Sequence, residues 1–459
     1  MKKALLVGTL VLLMTGLAMA QAWTFGPTTP FSYVRLEGAY YLPTGKVYFL
    51  GGRVGTGTTS GRIWSFDPVA ATFTDENVDM EQPISNYQVN LLSDPTGPDT
   101  QALYTVCGRL GSGTITAALQ VYYPISGLAM SLTSDPFPGR IGGRMYFPAQ
   151  GTAVVANKLY VYGGFQVQGA PYNTDSTYVY DPAQPAGSRW SNITTARLSQ
   201  ARCYVSSAVV DGKIYGIGGS YSTDGVYLQN TNIVERFDPA NPGAGWVRMA
   251  DLPDTSSESQ AFGFDTGSPY GMGGHIILAP QGGWPTPNGT CYDYDVVANS
   301  WSTFPTVNEA RRSQAGFFVP GTQGSNGIPG MWILGGRGTV DTPGLTSSEY
   351  FQLSYSAVEE QGGVRLEKLT GLQAPAPNPF SGKTVLRYSL AKSGPVSLAI
   401  YGVTGQRVRT LVQGVRPAGT SEVAWDGRDD FGKAVGAGVY FARFAAEKVH
   451  STERITVLR

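Results

Sequence analysis

Short apolar runs closed by glycine pairs punctuate this chain. Lys46-Val47-Tyr48-Phe49-Leu50 leads into Gly51-Gly52, and Met331-Trp332-Ile333-Leu334 leads into Gly335-Gly336. The same pair stands at Gly163-Gly164, Gly218-Gly219 and Gly282-Gly283, with a degenerate copy at Cys107-Gly108. Successive intervals are 56, 56, 55, 64 and 53 residues. A second phrase keeps register with the first: Phe66-Asp67-Pro68, Tyr122-Tyr123-Pro124, Tyr180-Asp181-Pro182, Phe237-Asp238-Pro239, Tyr294-Asp295 and Tyr350-Phe351. Trp190, Trp246 and Trp301 follow in the third, fourth and fifth units, Phe73 takes that place in the first, and the second has no clear equivalent. Short aromatic strands between glycine and Asp-Pro turns predict an all-β repeat. One such unit cannot bury both of its faces alone, whereas packing the units radially covers them and removes exposed sheet edges.

Beyond a polar stretch at 356–373 the pattern changes. Val385-Leu386-Arg387-Tyr388-Ser389-Leu390 and Val396-Ser397-Leu398-Ala399-Ile400-Tyr401 alternate at a period of two, between Gly and Asp turns, and predict a small sandwich over 374–459. At the other end, Lys2 and Lys3 precede a largely apolar run and the small-x-small triplet Ala18-Met19-Ala20, so residues 1–20 read as a removed export signal. No later run approaches bilayer length, and a product without a membrane span is expected.

The six units over 21–355 resemble the kelch family, whose repeat has this period, and the resemblance implies a six-bladed β-propeller. The phrase Trp23, Arg35 and Lys46–Leu50 parallels Trp301, Arg312 and Met331–Leu334. The N-terminal strand is therefore expected to complete the sixth blade. Pro377-Asn378-Pro379-Phe380, Trp425-Asp426-Gly427-Arg428-Asp429 and Gly438-Val439-Tyr440-Phe441 resemble the FlgD-type immunoglobulin-like domain, also found as the type A sorting domain of the type IX secretion system. That resemblance implies export to the medium or outer cell surface, with the secretion machinery as a partner. The ending Val457-Leu458-Arg459 is less lysine-rich than many sorting tails.

With 60 Gly, 30 Pro and 26 Tyr in 459 residues, the composition agrees with turns and aromatic strands. Charge balances at 33 against 33, or 31 against 33 once Lys2 and Lys3 are lost, which gives no pull toward nucleic acid. Cys107, Cys203 and Cys291 lie far apart; at most one pair can close, and buried thiols are the favoured reading.

The chemistry is sparse. Two histidines, His275 and His450, cannot supply a copper-oxidase ligand set, so no metal, no cofactor and no catalytic residue is assigned. Asp426, Asp429 and Asp430 read as a turn rather than a calcium loop. The residues after the glycine pairs are more informative: Arg53, Arg109, Phe165, Ser220, Trp284 and Arg337. Arg35, Arg202 and Arg312 are placed at the start of each unit's first strand, on the same face. Ring closure would make Arg337, Arg53 and Arg109 neighbours, with Phe165 and Trp284 opposite.

The expectation is an exported, non-catalytic, monomeric binding protein that holds a glycan or protein ligand at this face, the arginines gripping carboxylates and the rings stacking. Hydrogen bonding of these arginines to loop carbonyls is the plainer alternative. Kelch propellers include exported sialic-acid mutarotases. An enzyme of that kind is the rival reading, with Glu37, Glu258, Glu309 or Glu349 as its acid or base.

Overall fold

The computed structural model describes residues 21–458, apart from 55–57, 95–96, 150, 167, 284, 322–328, 340–342, 354–370, 373–374, 376, 391–393, 417–418 and 447–448. The chain divides into two compact units, residues 1–359 and 360–459. No α-helix occurs among the described residues.

The first unit holds six antiparallel sheets of four or five strands, one for each repeat. In blade 4, for example, Ser206–Val210, Lys213–Ile217, Val234–Phe237 and Trp246–Arg248 lie in that order from inner to outer strand. Blade 6 takes Ala315–Val319, Gly330–Leu334 and Ser348–Gln352 from the end of the unit and its outer strand, Thr24–Phe25, from the beginning. Thr24 pairs with Tyr350 and Phe25 with Glu349. Blades 6 and 1 then share a core in which Phe66 lies 5.2 Å from Trp332 and Phe49 lies 5.6 Å from Phe317. The fold is a closed six-bladed kelch-type propeller followed by an immunoglobulin-like sandwich.

The repeat phrases now have physical reasons. Each tryptophan of an outer strand packs on the aromatic residue of the neighbouring strand, as Trp301 does on Tyr294 at 4.7 Å and Trp246 on Phe237 at 5.5 Å. Its indole N–H also reaches the preceding blade or the linker leaving it. Trp23 donates to the Pro305 carbonyl and Trp301 to that of Ala250, both at 2.9 Å, while Trp246 donates to Thr177 Oγ1 at 2.9 Å. The ring therefore buries apolar area within a blade while the polar edge fastens one blade to the next.

The aspartate of the Asp-Pro phrase closes the outer turn. Asp67 Oδ1 accepts from the N–H groups of Val69 and Ala70, and Asp295 Oδ1 from those of Val297 and Ala298. Blade 2 has Tyr123 where the aspartate belongs. The carboxylate comes instead from Asp99, in the inner hairpin of the same blade, which accepts from Ile125 and Ser126 N–H. Blade 6 lacks the aspartate because its outer strand arrives from the N-terminus and no turn is needed.

The first glycine of each pair is left-handed, and Cys107 takes the same conformation, at φ 57°, in the degenerate copy. At Gly163 a side chain is excluded by space as well, since a Cβ would stand 2.4 Å from the Arg202 carbonyl oxygen. Cys107, Cys203 and Cys291 are buried free thiols.

The second unit stacks a three-stranded sheet on a four-stranded one, around Leu386, Leu398, Ile400, Trp425 and Phe444. The Pro-Asn-Pro-Phe phrase serves as a clamp on the last strand, Val449–Val457. Asn378 donates from Nδ2 to the Arg454 carbonyl and accepts the Thr456 N–H, while Phe380 seats its ring 5.6 Å from Trp425. Asp426, Asp429 and Asp430 accept backbone N–H groups of their own turn and of Thr410, as expected of a turn.

Asp99→Ala strips two turn N–H groups of the buried carboxylate that accepts them and is expected to cost about 1–3 kcal/mol in chemical denaturation. Loss of less than about 0.5 kcal/mol would show that the borrowed carboxylate does not hold the blade 2 turn.

Candidate functional site

At the start of every inner strand one residue adopts a left-handed conformation. These are Arg35, Asn86, Ala149, Tyr204, Glu258 and Ser313, one from each blade, with φ between 44° and 62°. The kink breaks the strand and turns its first residues outward, leaving the kinked residue over the propeller axis. These six, with Glu37 and Tyr87, line a small recess. Side chains from blades that are not neighbours meet beside it. Asn86 donates to Tyr204 Oη at 3.0 Å, and Gln260 donates to Glu37 Oε1 at 2.7 Å.

Around this ring lies a second. Arg53 pairs with Val34, beside Arg35; Arg109 pairs with Ser85, beside Asn86; and Arg337 bridges Arg312, beside Ser313. Each of these three arginines thus stands directly outside an axial residue. Arg35, Arg53, Arg109 and Arg337 are half-buried and near enough to repel: burial, then the charges of the other three, lower the proton affinity of Arg53 below the ordinary guanidinium value. The sequence placed Arg53, Arg109 and Arg337 on one rim, and they lie there, with Arg35 inside them.

Three other candidates stand differently. Arg202 is fully buried, donating to Glu235 Oε2 at 2.6 Å and to the carbonyls of Gly218 and Gln200. It is equivalent to Arg311, which is likewise buried and donates to Glu349 Oε1 at 2.9 Å. Both lie two residues before the kinked position and fasten the inner strand to the third strand of the same blade. Arg312, one residue before the kink, is buried against Glu258 Oε2 at 2.6 Å. The common placement expected of Arg35, Arg202 and Arg312 is therefore corrected to three successive positions, of which Arg35 alone faces the recess. Phe165 is 6% exposed, with its edge toward Phe147, so its ring is committed to the core rather than offered for stacking. Trp284 lies outside the described residues.

Among the glutamates, Glu309 and Glu349 belong to the Arg311 clasp, and Glu37 is bonded to Gln260. Glu258 is central. Burial would raise its pKa, but the charges of Arg35 and Arg312, with hydrogen bonds from Arg312 and Ser313, outweigh that and hold it below its ordinary range. Burial opposes the charge on Arg35 in turn, and Tyr204 and Glu258 outweigh it, raising the Arg35 pKa. Tyr204 is pushed up to about 12, chiefly by burial. The recess therefore holds a fixed carboxylate, a neutral phenol and one cation, Arg35. Sequence reasoning missed Asn86, Ala149, Tyr204 and Ser313 because the kinked positions share no side-chain type. Their distance to the glycine pair also varies, from 14 residues in blade 3 (149 to 163) to 24 in blade 5 (258 to 282).

Comparison with known proteins agrees with this architecture. Residues 201–242 match the Kelch motif, and residues 380–449 match the FlgD Ig-like domain. A relative, the Kelch-like protein terF of Aspergillus terreus, is 26% identical over 209 residues, which cover 44% of this chain and 41% of that protein. The chain thus matches less than half the length of that relative. The solved structure of YjhT superposes with a TM-score of 0.52 at 16% identity, covering 71% of this chain and 96% of that one, a likeness of fold. The chain thus carries a Kelch motif within its six-bladed propeller and a C-terminal stretch that matches the FlgD Ig-like domain.

Two substitutions separate the arginine classes. Arg202→Ala strands a buried Glu235 and is expected to cost about 3–5 kcal/mol, whereas Arg53→Ala removes a repelled charge and is expected to leave denaturation midpoints unchanged or raised. Equal losses would contradict the distinction.

The depressed pKa of Glu258 makes its stabilising contribution complete above its ordinary value of 4.5 and lost as pH falls through the lower folded value. The melting temperature of Glu258→Gln should lie below that of the parent protein at pH 7, with the gap closing as pH falls below 4.5 and through the lower folded value. Parallel curves would show that Glu258 is not ionised in the fold.

Proposed function

We propose that this is an exported binding protein whose propeller mouth holds a carboxylate-bearing glycan or protein segment, and whose C-terminal domain engages a secretion or surface-sorting machinery. One observation carries the first part: Arg53, Arg109 and Arg337 stand on successive blades directly outside axial residues, half-buried together with Arg35, and burial, then the charges of the other three, lower the proton affinity of Arg53. Crowding like charges costs energy in the empty protein, and a bound anion turns that cost into attraction. Guanidinium groups grip carboxylates in a bidentate fashion, and a half-buried setting strengthens each contact. The buried pairs of Arg202 and Arg311 show how this chain neutralises an arginine that only supports the fold.

The second part is supported by the basic and apolar start with its Ala18-Met19-Ala20 triplet and by the FlgD Ig-like match. A sugar mutarotase on the same face is the rival reading, favoured by the titratable groups Glu258 and Tyr204 in the recess. Glu258 is held as a carboxylate and Tyr204 as a neutral phenol, neither poised to exchange a proton near neutral pH, which favours binding over turnover.

On an array of acidic glycans and peptides the protein should bind carboxylate-bearing members, less tightly as salt rises. Arg53→Ala with Arg109→Ala should weaken this about tenfold or more while the fold persists. Unchanged binding by the folded double variant would refute the anionic mouth, and anomer exchange of a sugar acid followed by NMR would favour the enzyme. In the native host, removing residues 374–459 should retain the propeller inside the cell envelope; undiminished release would refute the sorting role.

A further inference from the structure

The recess inside the arginine rim is not itself a second anion site. Glu258 Oε2 accepts from Arg312 at 2.6 Å and from Ser313 Oγ at 2.7 Å, so one of its oxygens is satisfied. The other, Oε1, is buried and has no hydrogen-bond donor among the described residues; Arg35 Nη2 stands 3.7 Å away. A buried carboxylate oxygen without a donor is costly and calls for one.

Tyr204 supplies the complementary need. The orientation of Asn86 is fixed because its Oδ1 accepts from Ser85 Oγ at 3.0 Å and from Arg35 Nη1 at 3.4 Å, which turns Nδ2 toward the phenol. Tyr204 Oη is thereby an acceptor from Asn86. With its pKa at about 12, it keeps its own proton, for which no described residue serves as acceptor. The recess is thus lined by a donor, Tyr204 O–H, and an acceptor, Glu258 Oε1, contributed by adjacent blades. Arg35 is held by two long contacts, 3.4 Å to Asn86 Oδ1 and 3.7 Å to Glu258 Oε1, and its side chain is 18% exposed, so it is the movable part.

We propose that this recess is a hydroxyl subsite. A ligand alcohol accepts from Tyr204 and donates to Glu258 Oε1, while Arg35 moves outward to join the rim arginines on the ligand's carboxylate. The inference rests on the anionic mouth and deepens it. The ligand is a hydroxylated carboxylic acid, because an anion placed inside would meet Glu258, and an alkyl group would leave both polar atoms unmet. Tyr204 is then the specificity-determining donor.

The test pairs two probes of matched ring size on the full chain: glucuronate, and cyclohexanecarboxylate, which has the carboxylate without hydroxyls. By calorimetry or NMR titration, glucuronate should bind about tenfold or more tightly than cyclohexanecarboxylate. Tyr204→Phe should shrink that ratio to about threefold or less, leaving cyclohexanecarboxylate within about twofold of its parent affinity. Equal binding of the two probes by the parent protein overturns the hydroxyl subsite and leaves the anionic mouth standing. An undiminished ratio in Tyr204→Phe overturns the role of Tyr204. Failure of both probes to bind overturns the mouth itself, and the subsite with it. The parent ratio decides the matter even if the variant does not fold.

Discussion

Two residues of backbone pairing, Thr24 with Tyr350 and Phe25 with Glu349, set the geometry on which the rest of the propeller depends. They close blade 6 with a strand from the opposite end of the unit, and Trp23 secures the join through Pro305 and Phe351. Without that closure, blades 6 and 1 are the two ends of an open array, and Arg337 is remote from Arg53. With it, three blades in sequence bring Arg337, Arg53 and Arg109 to one arc, and Arg35 to its inner edge. A binding surface is therefore made by the same contact that removes the last exposed sheet edges.

The arginines show how one residue type serves two ends. Arg202 and Arg311 are given buried glutamates and backbone carbonyls, and lock inner strands to third strands. The rim arginines are held half-exposed and mutually repelling, so a local positive field gathers at the rim although the whole chain carries equal numbers of acidic and basic side chains. Net charge says nothing of this; placement does. Glu258, beneath Arg35 and against Arg312, keeps that field local by neutralising the axis and leaving the rim charged.

Much of the fold is legible in the sequence because its repeats are tied to physical necessity. The glycine pairs mark left-handed positions, the tryptophans mark outer strands that must fasten to a neighbour, and the Asp-Pro phrases mark turns. Where a phrase fails, a compensation lies elsewhere in the chain, as Asp99 does for blade 2, and no local pattern announces it. The site is legible only in part. Arg53, Arg109 and Arg337 follow a marker that keeps register. Arg35, Arg202 and Arg312 precede strands through loops of unequal length, and an offset of one or two residues decides whether a guanidinium faces the recess or a buried glutamate. Phe165 reads as an exposed ring because it follows the glycines, yet the aromatic cluster of blade 3 claims it. The kinked residues share a backbone conformation and no side-chain chemistry, so only the structure reveals the ring they form.

The most direct test of the account follows the guanidinium N–H signals of the full chain by NMR while a polycarboxylate such as polyglutamate is added. The signals of Arg35, Arg53, Arg109 and Arg337 should move together at a common midpoint, while those of Arg202 and Arg311 stay fixed. Movement confined to surface arginines such as Arg387, with the four mouth signals unchanged, would contradict it.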